Sequence, residues 1–140
     1  MPYQRRRVLC AEPHVDTCRL LAELLGQQGH EVVAAASLSE CLALVGEREF
    51  DLYMLDDDYI DGTGLELCRE LRARTPQTPI LFFSSRAFLR DRQRAFEAGA
   101  YSYLTKPSDI FEIVQTVNAI FKGRAVGASN DAGDCLNQSR

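Results

Sequence analysis

No apolar run in this chain approaches the roughly 20 residues needed to cross a bilayer, and the opening MPYQRRRVLCAEP carries basic residues with no apolar stretch of about 7–15 residues behind them. A membrane partner and a secretory leader are therefore not expected, and the chain is read as cytoplasmic. Cysteine is scattered and unpatterned. Cys10, Cys18, Cys41, Cys68 and Cys135 are odd in number, form no C-x-x-C pair and sit in apolar surroundings, which suits reduced packing thiols better than a disulfide framework or a zinc site. Neither G-x-G-x-x-G nor G-x-x-x-x-G-K-[ST] occurs, so nucleotide binding has no support. The net charge of −4 argues against nucleic acid as a partner; Arg5, Arg6 and Arg7 form only a short basic run, expected to be solvated, where an N-terminal arm of residues 1–6 meets the domain.

What is present is a regular alternation. The 140 residues, 46% of them apolar, suit one core. Apolar strand-like runs at Arg7–Ala11, Glu31–Ala35, Asp51–Leu55, Pro79–Phe83 and Tyr101–Leu104 are each followed by a helical pattern. Cys18, Leu21, Leu24 and Leu25 share one face of the first helix, expected over Val15–Gln28. Ser37-x-x-Glu40 and Thr63-x-x-Glu66 are capping boxes opening the second and third. A fourth helix is expected from Phe88 to Ala98, ending at Gly99. Ser108 is the expected cap of the fifth, whose stripe is Ile110, Ile113, Val114, Val117, Ile120 and Phe121. The domain is bounded at residues 7–122, and 123–140 read as a disordered tail. Such an alternation predicts an α/β fold: a doubly wound, five-stranded parallel sheet of order 2-1-3-4-5 with helices on both faces.

In that architecture ligands bind outside the carboxyl ends of the strands. The residues there are Glu12, Asp56, Ser84 and Thr105-Lys106-Pro107. Carboxylates hold a hard divalent cation, while a hydroxyl and an ammonium bind phosphoryl oxygens, so the set outlines a phosphoryl-transfer site.

From Arg7 to about Phe121 the chain resembles the receiver domain of bacterial two-component response regulators. In gapless register Asp56 falls on the phosphoacceptor, Gly64 on the glycine closing its loop and Ser84 on the family's Thr or Ser. AGAYSYLTKP, Ala98–Pro107, matches the family's AGAxxYLxKP ending and places Tyr103 at the switch aromatic and Lys106 at the phosphate-contacting lysine. The resemblance implies a switch phosphorylated on Asp56 by a histidine kinase or phosphotransfer protein. It also implies Mg²⁺ on Glu12, Asp56 and a carbonyl at Asp58, and a cis Lys106–Pro107 peptide aiming the lysine inward. On phosphorylation Ser84 would move and Tyr103 rotate inward. The signal would pass to a downstream protein through the surface of the fourth helix, fifth strand and fifth helix, with no output domain in the chain and no enzyme activity on other substrates. Arg86, Arg90, Arg92 and Arg94 beside Phe88 and Leu89 suggest a partner or homodimer patch there.

Three positions depart from the family. Pro13 stands where a second acid belongs, so weakened Mg²⁺ binding is expected, and His14 is read as solvated unless the loop shifts it or Asp16 toward the site. Asp57 and Asp58 replace an apolar pair. Both are expected to face water, the alternative being that Asp58 supplies the missing acid or pairs with Arg86. Ile60 replaces a proline and is expected to soften its loop.

YMLDDDYI also resembles the D-x-D start of haloacid dehalogenase-type phosphatases, but that motif belongs on a first strand with a longer chain behind it. A D-x-D sugar-transferase motif fails on size, and an EF-hand loop fails because Asp61 occupies its glycine position. The remaining rival is a pseudo-receiver, the same fold used without phosphorylation as a protein-interaction module.

Overall fold

The computed structural model describes residues 5–126. In chain order the elements are β1 (Arg7–Ala11), α1 (Val15–Gln27), β2 (Glu31–Ala35), α2 (Leu38–Glu47), β3 (Leu52–Leu55), β4 (Asp58–Tyr59), β5 (Gly62–Thr63), α3 (Gly64–Arg74), β6 (Ile80–Ser84), α4 (Leu89–Glu97), β7 (Ser102–Thr105) and α5 (Ile110–Val126). The main sheet is wholly parallel with order β2-β1-β3-β6-β7, the expected topology once the short antiparallel hairpin of β4 and β5 is set aside.

Side chains alternate across a strand, and here both faces are apolar because both are covered. Leu9, Ala11, Tyr53, Leu55, Ile80 and Phe82 pack with Cys41 of α2, Leu67, Cys68 and Leu71 of α3, and Ala95 of α4. Val8, Cys10, Leu52, Met54, Leu81 and Phe83 face the other way, against Leu21, Leu24 and Leu25 of α1 and Ile113, Val117, Ile120 and Phe121 of α5. Each such side chain contributes roughly 1.5–3 kcal/mol of burial. The described thiols serve this packing. Cys10, Cys41 and Cys68 are buried and unpaired, and burial pushes Cys41 up to about 12 and Cys68 up to about 11.

Local capping follows the sequence with two corrections. Thr63 and Glu66 form the full reciprocal box at the head of α3. At α2, Ser37 accepts from the Glu40 N–H, but Glu40 reaches back to Ala36, one residue earlier than the box requires. At α5 the cap is Asp109, which accepts from the Glu112 N–H. Ser108 instead donates to the Thr105 carbonyl, because it still belongs to the turn leaving β7. Helix α5 also continues to Val126, past the boundary expected at 122. Residues 127–140, with Cys135, lie outside the described residues.

Of the basic run, Arg6 and Arg7 are fastened. Arg7 pairs with Glu31 at 3.1 Å and donates its backbone N–H to Asp51, while the Arg6 guanidinium lies 5.1 Å from the centre of the Phe121 ring. Among the described residues no helix is long and apolar enough to cross a membrane.

The unexpected hairpin also stiffens the loop that Ile60 was expected to soften. Ile60 itself is 96% exposed, but Tyr59 beside it is buried. Asp61 accepts from the N–H groups of Leu38 and Ser39, which tie the loop to the head of α2 and hold its carboxyl below the ordinary aspartate value. The loop closes at Gly64, whose N–H donates to the Asp57 carbonyl at 2.6 Å and where an added Cβ would lie 2.1 Å from the Asp56 carbonyl oxygen. Gly64→Ala is expected to lower the unfolding free energy by about 1–3 kcal/mol, read as a lower urea midpoint at constant slope. An unchanged midpoint would show that the loop yields freely.

Candidate functional site

The carboxyl ends of β1, β3, β6 and β7 meet at one edge of the sheet. Asp56, the first residue after β3, is 6% exposed. Its backbone N–H donates to the Tyr59 hydroxyl at 2.8 Å, and that hydroxyl donates to the Ala11 carbonyl at 2.7 Å. Tyr59 thus pins the end of β3 to the end of β1 and sets where the Asp56 side chain emerges. Burial, reinforced by Glu12, pushes the Asp56 carboxyl above the ordinary aspartate value, against the opposing pull of the Asp57 N–H and the Lys106 charge.

Glu12 is buried directly after β1, and Lys106 follows β7 through a cis Lys106–Pro107 peptide. The Lys106 backbone N–H donates to the Ser84 carbonyl, extending the β6–β7 ladder, and its Nζ reaches Glu12 Oε1 at 2.9 Å and Asp56 Oδ1 at 3.4 Å. Burial disfavours the ammonium, but the two carboxylates outweigh it and hold the Lys106 pKa above the ordinary lysine value. Pro13 brings no carboxylate. His14 stays exposed, and the alternative stated for it also holds: the loop before α1 brings it to the site, its N–H donating to Glu12 Oε2 at 3.0 Å and its Nδ1 lying 2.8 Å from that oxygen and 3.8 Å from Asp56 Oδ2. Asp16 stays exposed in the first turn of α1.

The three aspartates part ways. Asp58 is exposed on the hairpin and pairs with Arg86 Nη2 at 3.0 Å, which was the alternative reading for it. Asp57 does not face water as expected. It turns inward, accepts the Ser84 hydroxyl proton and lies 3.7 Å from Arg86 Nε. Ser84 Oγ, fully buried, also accepts from the Arg86 backbone N–H at 2.9 Å and from the Tyr103 hydroxyl at 3.0 Å, the tyrosine proton being shared with the Arg86 carbonyl at 2.7 Å. Tyr103 is therefore already inward, stacked on Phe82 at 5.8 Å, and the inward rotation expected on phosphorylation starts from a ring that is in place. Two of the α4 arginines lie over aromatic rings. Arg92 lies over the Tyr103 ring and donates to Thr105 Oγ1 at 3.2 Å, and Arg90 lies over Phe88.

Sequence reasoning missed Tyr59, because a tyrosine after three aspartates looks like a loop residue. It also missed the inward turn of Asp57. An open cavity of about 360 Å³ lies over the site, lined by His14, Asp56, Asp57, Asp58 and Lys106 among others. Glu12, His14 and Asp56 present ligand atoms within 4.8 Å of one another, and two carboxylates share one ammonium, so the donor set suits a divalent cation.

A strand-end aspartate, a buried hydroxyl, an inward aromatic and a lysine on one crevice define a response-regulator receiver. Residues 8–118 match the response regulator receiver domain model, and the chain belongs to that family. It is 31% identical over 113 residues to the response regulator protein PilR of Pseudomonas aeruginosa, covering 81% of this chain and 25% of that protein. It is 36% identical over 98 residues to the two-component response regulator PhoP of the same organism, covering 70% of this chain and 44% of that one. The chain thus spans less than half the length of these curated relatives. Among solved structures, the non-phosphorylated HemR receiver domain of Leptospira biflexa superposes with a TM-score of 0.77 at 30% identity, covering 82% and 93% of the two chains. A two-component response regulator from Clostridium difficile does so with a TM-score of 0.81 at 25% identity, covering 84% and 96%.

Tyr59→Phe would strand a buried N–H at Asp56 and a buried carbonyl at Ala11. It is expected to cost about 1–3 kcal/mol in urea unfolding; an unchanged stability would remove Tyr59 from the account of how Asp56 is held.

Proposed function

We propose that the protein is a phosphoacceptor switch of a two-component phosphorelay, with Asp56 taking a phosphoryl group from the phosphohistidine of a sensor kinase or phosphotransfer protein. The observation that carries this reading is Lys106 Nζ lying between Glu12 Oε1 and Asp56 Oδ1 beside a buried Ser84, since folding alone does not require an ammonium at that depth.

In the forward step a carboxylate oxygen of Asp56 attacks phosphorus in line, the new O–P bond forms as the histidine N–P bond breaks, and the donor imidazole leaves with its electron pair. A divalent cation such as Mg²⁺, held by Glu12 and Asp56, would neutralise charge on the transferring group. Lys106 would release Asp56 Oδ1 and take a phosphoryl oxygen, keeping its charge in the pocket. Ser84 would exchange the Asp57 carboxylate for a second phosphoryl oxygen. That exchange gives Asp57 a role of its own: it competes with the incoming group for the Ser84 proton, so the hydroxyl is engaged before and after transfer.

The output would travel through Tyr103 and Arg92 to α4. The exposed Phe88, Leu89, Ile110 and Phe111 at the heads of α4 and α5 offer an apolar contact for a downstream protein or a second copy. No substrate other than its own aspartate is proposed, and the setting is cytoplasmic.

Intact mass after incubation with acetyl phosphate and Mg²⁺ tests the reading. One phosphoryl group on the wild type and none on Asp56→Asn is expected, while no gain with acetyl phosphate or with a phosphorylated kinase domain would leave the interaction-module reading in its place. Asp57→Ala, freeing the Ser84 hydroxyl, is expected to raise the phosphorylated fraction at a given acetyl phosphate concentration, and an equal or lower fraction would remove the competition.

A further inference from the structure

Each of the two buried carboxylates has one oxygen taken and one oxygen left. Glu12 Oε1 and Asp56 Oδ1 face the Lys106 ammonium, whereas Glu12 Oε2 and Asp56 Oδ2 face the imidazole of His14. The side away from the lysine is therefore lined by two oxygens and a nitrogen, where the proline before His14 offers no side-chain oxygen.

The spacing suits one ion. Two neighbouring ligand atoms on an octahedral cation with bonds of about 2.1 Å lie roughly 3 Å apart. Nδ1 is 2.8 Å from Glu12 Oε2 and 3.8 Å from Asp56 Oδ2, and the three ligand atoms lie within 4.8 Å of one another. His14 is held there through its backbone, whose N–H donates to Glu12 Oε2. Nδ1 donates to the carboxylates in one ring tautomer and offers its lone pair in the other. A cation would take Nδ1 once the proton sits on Nε2, and the ring is 71% exposed, so water can accept that change.

The donor type then decides which cation is favoured. Mg²⁺ binds hard oxygen, demands near-octahedral geometry and sheds water reluctantly, while imidazole suits the later first-row divalent ions, whose affinities rise toward copper. We propose that this pocket is a mixed nitrogen–oxygen site in which His14 is a metal ligand, shifting preference from Mg²⁺ toward a first-row transition divalent cation. The proposal rests on the acidic pocket being the cation site of the switch, but not on phosphoryl transfer taking place.

Calorimetric titration of the full chain with Ni²⁺ and separately with Mg²⁺ tests it, on the wild type, His14→Ala, His14→Asp and Asp56→Asn, with circular dichroism confirming the fold of each. His14→Ala is expected to weaken Ni²⁺ by about tenfold or more and Mg²⁺ by less than about twofold. His14→Asp, returning an oxygen, is expected to strengthen Mg²⁺ while leaving Ni²⁺ below the wild type. Asp56→Asn should weaken both. Equal loss of both ions in His14→Ala, unchanged Ni²⁺ affinity, or a Ni²⁺–thiolate charge-transfer band in place of imidazole ligation would overturn the proposal. Because these are binding measurements, their failure with Asp56 still phosphorylated in Mg²⁺ sinks the His14 ligand alone. Failure of phosphorylation leaves their outcome readable.

Discussion

One ammonium allows two carboxylates to stay buried at the edge of this sheet. Taking Glu12 and Asp56 out of water costs several kcal/mol each, and they lie too close to share a dry site without repelling one another. Lys106 answers both with a single charge. It can do so because the β6–β7 ladder continues one bond past the last strand residue, from the Lys106 N–H to the Ser84 carbonyl, so the side chain leaves the backbone at the crevice. The same bond places Ser84, and the Tyr59 hydroxyl places Asp56 against the end of β1. Sheet register and site geometry are therefore one constraint. A slip of one residue in β7 would carry Lys106 to the other face and leave the acids unpaired.

From this centre the hydrogen bonds run outward in one direction. Asp57 takes the Ser84 proton, which leaves the serine oxygen only as an acceptor; that oxygen takes the Tyr103 proton, and the Tyr103 ring lies under the Arg92 guanidinium of α4. Every link is between buried or half-buried groups, where a lost partner costs more than a gained one returns. The contacts from Ser84 to α4 are therefore continuous. Arg86 closes the loop by bonding Ser84 and Tyr103 through its backbone and Asp57 and Asp58 through its guanidinium, so the α4 approach and the aspartate loop move as neighbours.

The fold was legible because its signals are periodic. Strand runs such as LYML and ILFFS, apolar on both faces, and the stripe of α5 admit few alternatives. The site residues were legible because they fall at strand ends, where topology gathers them. What escaped depended on contacts of long sequence separation. Nothing local says that Tyr59 will reach Ala11, or that Asp61 will cap a helix that began 23 residues earlier. Ser108 and Asp109 are both good caps by type, and only the turn after β7 chooses between them. His14 was half legible: it stays solvated as a loop histidine usually does, but the immediate helix start after Pro13 also brings its Nδ1 to Glu12.

The run of three aspartates now has a physical explanation. Strand alternation alone would send adjacent side chains to opposite sides, but the chain leaves β3 after Leu55 and enters the hairpin at Asp58, so the three carboxylates diverge instead of stacking their repulsion. Each finds a different positive or donating partner: Lys106 for Asp56, the Ser84 hydroxyl with Arg86 for Asp57, and the Arg86 guanidinium for Asp58. An apolar pair at the last two positions would pack well but would leave Ser84 and Arg86 without these partners. On the other side of Asp56, where Pro13 brings no carboxylate, His14 comes up to the oxygens that Lys106 leaves. The donor set beside Asp56 is thereby one further carboxylate and one imidazole.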